Sequence, residues 1–61
     1  MSKKEKYHYM SEGGGFLSIE TESGYDLYEI PQYGGEPRFI QYCKDKIELE
    51  DRLMYFNSKY T

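Results

Sequence analysis

The stretch FLSIETESGYDLYEI, residues 16–30, decides how the chain is read. In its first half Leu17, Ile19 and Thr21 alternate with Ser18, Glu20 and Glu22, the period-two pattern of a half-buried strand. Ser23 and Gly24 follow, a turn dipeptide in which glycine is free to take positive φ. Residues 25–30 then supply a second strand, with Tyr25 and Leu27 on one face and Tyr28 and Ile30 on the other. So short a gap between two strand-like runs predicts an antiparallel hairpin.

Toward the C-terminus, Pro31 removes a backbone donor and ends that strand. The connection QYGGEP, residues 32–37, has two glycines for irregular backbone angles. RFIQYC, residues 38–43, is rich in aromatic and β-branched side chains and predicts a third strand. Strict alternation there sets Phe39 and Cys43 opposite Ile40 and Tyr42. From residue 46 to 59 the period becomes helical. Leu49, Leu53, Phe56 and Tyr60 fall on one stripe. Asp45 followed three residues later by Glu48 forms a start resembling a capping box, and Lys59 suits the far end of the helix dipole. The segment DKIELED also alternates, which leaves a short strand as the rival reading.

Toward the N-terminus, residues 1–14 read as a flexible polar tail that runs into the glycines at 13–15. The domain is then residues 15–61. The expected class is α+β: a three-stranded antiparallel sheet with one C-terminal helix packed on one face, or βββα.

At 61 residues the chain is one domain at most, of a size that is marginal alone and needs a staple. Cys43 is the sole cysteine, so no internal disulfide forms. A structural zinc wants about four Cys or His ligands, and only Cys43 and His8 are present. Neither metal nor cofactor is therefore expected. Association is the remaining staple, which points to a homodimer or an obligate partner. A single free thiol fits a reducing cytoplasm. MSKKEKYHYM lacks the apolar run of a signal peptide, and no stretch of about 18 apolar residues is present to span a membrane.

The net charge of −3 is unevenly spread. Residues 1–12 set Lys3, Lys4 and Lys6 against Glu5 and Glu12, a net +1, so −4 falls on the remainder. An acidic fold argues against direct nucleic-acid binding, which needs clustered Lys and Arg. It favours a basic partner surface.

The chain has eight tyrosines and no tryptophan. One helix covers one face of a sheet, so the other would leave large apolar groups exposed, and such a patch marks a binding surface. Tyr28, Ile30, Tyr33, Ile40 and Tyr42 are the candidate anchors, with Glu20, Glu22 and Glu29 as an acidic rim. Tyrosine also builds small sheets through its strand propensity alone. A different function follows if Glu20 and Glu22 share a strand face about 6.7 Å apart, close to the spacing of neighbouring phosphates on a DNA strand. The chain would then imitate DNA, although a solvated acidic surface accounts for the same charges. A ligand-sequestering dimer and a subunit of a larger assembly are further alternatives. Catalysis has little to draw on: Cys43 and His8 are the candidate nucleophile and base. YGGEPRF lacks the Lys-Ser/Thr of a phosphate loop. The expectation is a protein with no enzymatic activity.

YEIPQYGGEPRFIQY, residues 28–42, followed by KDKIELEDRLMYFNS, residues 44–58, resembles the small proteins of bacteriophages that infect low-GC Gram-positive hosts. The likeness is one of style and size over most of the chain. It implies an inhibitor that binds a host or defence protein in the host cytoplasm, often as a dimer, and it assigns no site residue.

Overall fold

The hairpin expected over residues 16–30 is the centre of a larger sheet. The computed structural model describes residues 4–33 and 35–59. The elements are β1 (Lys4–Ser11), β2 (Gly14–Glu20), β3 (Tyr25–Ile30), β4 (Arg38–Cys43) and α1 (Lys46–Lys59). The strands form one antiparallel meander in the order β1-β2-β3-β4. The class is α+β as expected, but the architecture is ββββα rather than βββα.

The extra strand is the segment read as a tail. KEKYHYMS shows no apolar alternation because β1 is an edge strand, exposed along its length except at half-buried His8. Its backbone pairs with β2 from Lys4 opposite Glu20 to His8 opposite Phe16. Of the glycines at the end of the expected tail, Gly13 lies in the β1–β2 turn, and Gly14 and Gly15 open β2. Ser11 Oγ accepts from the Gly13 amide at 3.2 Å. Gly14 has φ 109°, and a Cβ there would strike the Ile30 carbonyl, so the position needs glycine on both counts. The next turn closes through Thr21, whose backbone amide and side chain both hydrogen-bond Gly24.

On β4 the alternation is broken by a bulge. Leu27 faces Gln41 and Tyr28 faces Phe39, which leaves Ile40 as the extra residue. Ile40 packs against the core, so it shares the inner side with Cys43, while Phe39 stays beside Tyr28. This corrects the simple alternation, because an unpaired bulge residue re-aims its neighbours.

The helix forms as read. Asp45 Oδ1 accepts from the Glu48 amide at 2.8 Å, and Glu48 Oε1 accepts from the Lys44 amide at 3.4 Å. These bonds satisfy donors at the helix start. Tyr60, placed on the apolar stripe, lies outside the described residues. Leu49 and Leu53 are buried against Phe16, Leu27 and Cys43, with Tyr25, Ile40 and Phe56 packed around them. The helix sits over β3 and β4. No helix among the described residues is long and apolar enough to cross a membrane.

Leu27 is fully buried at the centre of this core. Leu27→Ala should lower unfolding free energy by about 2–5 kcal/mol in urea denaturation. Ile47→Ala, at a residue 79% exposed, should change it by no more than about 0.5 kcal/mol. Equal effects would show that the core is misassigned.

Candidate functional site

The helix covers one side of the sheet. On the other, register places Tyr7, Leu17, Tyr28 and Phe39 in one row across all four strands. The Tyr28 and Phe39 rings meet edge-on at 5.6 Å between centroids. Leu17 is 5% exposed, sheltered between its neighbours, whereas Tyr7 and Phe39 remain 57% and 58% exposed. A second row sets Glu5, Ile19, Asp26 and Tyr42 side by side. Gly15 pairs with Ile30 beyond the first row, and a Cβ on Gly15 would run into Met10. Met10 and Ile30 therefore extend the apolar surface. Side chains of this kind, with a few polar groups among them, make up the centre of protein interfaces.

Three predicted anchors lie here: Tyr28, Ile30 and Tyr42. Tyr42 also has a structural task, since its hydroxyl donates to the Ser23 carbonyl and its ring covers Gly24. Tyr33 does not join the face; it lies in the β3–β4 connection with φ 69° and is 93% exposed. Ile40 is withdrawn into the core by the bulge.

The acidic rim is arranged differently from the expectation. Glu20 pairs with Lys4 and Tyr25, so it projects on the helix side. Glu29 pairs with Phe16 and Arg38, again on that side. Glu22 belongs to the turn after β2. Glu20 and Glu22 thus form no ladder along one strand, and the spacing behind the DNA-mimic reading is lost. The carboxylates on the open face are Glu5 and Asp26.

Sequence reasoning missed Tyr7, Leu17, Phe39 and Asp26. Tyr7 was assigned to a tail, and Phe39 to the wrong face by the unseen bulge. Leu17 was legible as an apolar strand position, but alternation alone does not say which face of the strand the helix covers.

The two residues weighed for catalysis lie apart from this face. Cys43 is fully buried, and burial first, then Glu48, pushes its thiol above the ordinary range. That disfavours thiolate. His8 Nε2 lies 2.9 Å from Ser18 Oγ on the helix side. Ser18 is buried, so this contact satisfies a buried hydroxyl. No group of three or more His, Cys, Asp or Glu among the described residues could hold a metal ion. No protein-family model matches the chain, no curated protein matches it, and no solved structure matches it.

Burial first, then Lys6, lowers the His8 pKa below its ordinary 6.5. The unfolded chain therefore binds that proton more readily, so stability rises with pH in this window. The His8 contribution is fully present above pH 6.5 and is lost as pH falls through the folded value. Denaturation midpoints between about pH 5 and 8 should fall on the acid side in the parent. His8→Gln should flatten that part of the profile. An unchanged slope would remove His8 as its source.

Proposed function

We propose that the chain is a small protein-binding module that occludes a partner with the open face of its sheet. The observation that carries this is the uncovered row Tyr7–Leu17–Tyr28–Phe39, which runs across every strand. The partner surface is apolar at its centre and basic at its edge, complementary to Glu5, Asp26 and the net charge of −3. Size agrees with that use. The two longer extents of the fold are 31 and 24 Å, so the face offers roughly 700 Å², close to the ~800 Å² per partner of a stable interface.

The reading requires no chemistry from the chain. It acts by covering a surface, and tyrosine suits that task because its ring is apolar while its hydroxyl tolerates water. The likeness to small phage proteins supports a host or defence protein as the target, met in the host cytoplasm.

The test compares the parent with the double variant Tyr7→Ser, Phe39→Ser as bait in bacterial lysate. Circular dichroism first confirms that the variant is folded. A partner should be held by the parent through a high-salt wash and lost by the variant. Capture that is equal for both, or that depends on salt alone, overturns the assignment of this face. Sedimentation of the parent alone gives a second outcome: a dimer dispersed by the same substitutions would assign the face to a second copy, against an occluded target.

A further inference from the structure

Two grooves open on the helix side of the sheet. The larger, about 710 Å³, runs beside β1 and mixes Lys4, Lys6 and Lys46 with Glu5, Glu20 and Glu50. Its charges balance, so it favours no sign of ligand. The smaller, about 450 Å³, lies at the end of the sheet where the β1–β2 turn, the end of β3 and the start of β4 approach α1. That volume falls in the range of small-molecule sites, ~300–1,000 Å³.

The smaller groove has a simpler chemistry. Glycines 13–15 give it a wall of bare backbone. Tyr9 lines another side and stays 49% exposed, its ring edge-on to buried Phe16 at 6.5 Å between centroids. Glu29 and Arg38 are the two charged residues that line it, and Asn57 of α1 adds an amide. Glu29 and Arg38 stand directly opposite one another in the β3–β4 register. Side chains so placed start about 5 Å apart, and opposite charges there attract. The charged ends do not meet. Among the described residues the ion pair formed is Asp51–Arg52, and the side chains of Glu29, Arg38 and Asn57 have no hydrogen-bond partner. The groove therefore offers one carboxylate and one guanidinium, neighbours in the sheet, each with its hydrogen-bonding capacity unused. A simple anion there meets Arg38 but is repelled by Glu29, and a simple cation meets the reverse. A ligand with both charges close together satisfies both groups.

We propose that this groove binds an aromatic α-amino acid as its zwitterion. Its carboxylate meets the Arg38 guanidinium, its ammonium meets the Glu29 carboxylate, and its ring lies against Tyr9. The guanidinium fork matches a carboxylate in two parallel bonds, and paired aromatic rings gain beyond the area they bury. This site is independent of the open face, since register places Glu29 and Arg38 with Phe16 on the helix side.

Amide chemical shifts of the full chain are followed on titration with L-phenylalanine, phenylacetate and phenethylamine. The second probe lacks the ammonium of the first, and the third lacks its carboxylate. Phenylalanine should give saturable shifts at Tyr9, Gly14, Glu29 and Asn57, and should bind at least about tenfold more tightly than either comparison. Arg38→Gln, at an exposed position, should weaken phenylalanine by about tenfold or more while leaving the unfolding midpoint in place. Phenethylamine, with no carboxylate for Arg38 to hold, should bind that variant no more weakly than the parent. Glu50→Gln, in the larger groove, should leave the affinity for phenylalanine within about twofold. The proposal is overturned by any of three results: no saturation with phenylalanine, equal affinity for either comparison, or an equal loss in the Arg38 and Glu50 variants.

Discussion

The seam between α1 and the sheet is the contact on which the rest of the molecule depends. Leu49 and Leu53 fill the space over Phe16, Leu27 and Cys43, and nearly all the fully buried apolar residues lie in this layer. A helix with its side chains is about 10–12 Å across, whereas four strands spaced ~4.8 Å apart are wider than that. One helix therefore cannot roof the whole inner face. Its place over β3 and β4 gives the core its closure, while the substantial contacts of β1 are with β2. No element among the described residues covers the outer face. Both candidate surfaces follow from this shortage of cover.

A bare sheet face is ordinarily a liability, because apolar groups in water drive association. The chain moderates this with its choice of aromatic residue. Tyr7, Tyr28 and Tyr42 carry rings where leucine would shed water, yet each keeps a hydroxyl at its tip. Tyr42 shows the economy of the arrangement, with a ring over Gly24 and a hydroxyl on the Ser23 carbonyl. The density of tyrosine in this short sequence is in part structural. At the two ends of the row, Tyr7 on β1 and Phe39 on β4 stay more than half exposed, although Phe39 also meets the Tyr28 ring edge-on.

The central hairpin and the helix were legible because each carries a strong local signal: alternation across 16–22, a cap at Asp45, a stripe through Leu49 and Leu53. β1 was not, since an edge strand exposed on nearly every residue has no apolar period to read. Its order comes from backbone pairing with β2, a tertiary fact that composition does not encode. The bulge at Ile40 was equally hidden. One unpaired residue exchanged the faces of Phe39 and Ile40, which withdrew Ile40 from the five predicted anchors and put Phe39 on the open face. The carboxylates failed for a related reason. Glu20 and Glu29 were placed beside the tyrosines by their closeness in sequence, whereas the pleat sends them to the helix side.

β1 joins the two surfaces physically. Adjacent residues of this strand serve opposite sides, Tyr7 in the outer row and His8 on the helix side, with Tyr9 lining the inner groove. Among the described residues the strand makes its substantial contacts with β2, its one neighbour in the sheet. An edge element held on one side belongs to the least stable part of a small fold. The His8–Ser18 contact is one side-chain tie that crosses from β1 to the buried layer, beside the edge-on Tyr9–Phe16 ring pair. Whatever displaces that tie moves Tyr7 as well, since the strand cannot shift one face without the other. The same pairing that makes β1 invisible in the sequence thus makes it the element through which the outer row and the inner groove are mechanically one.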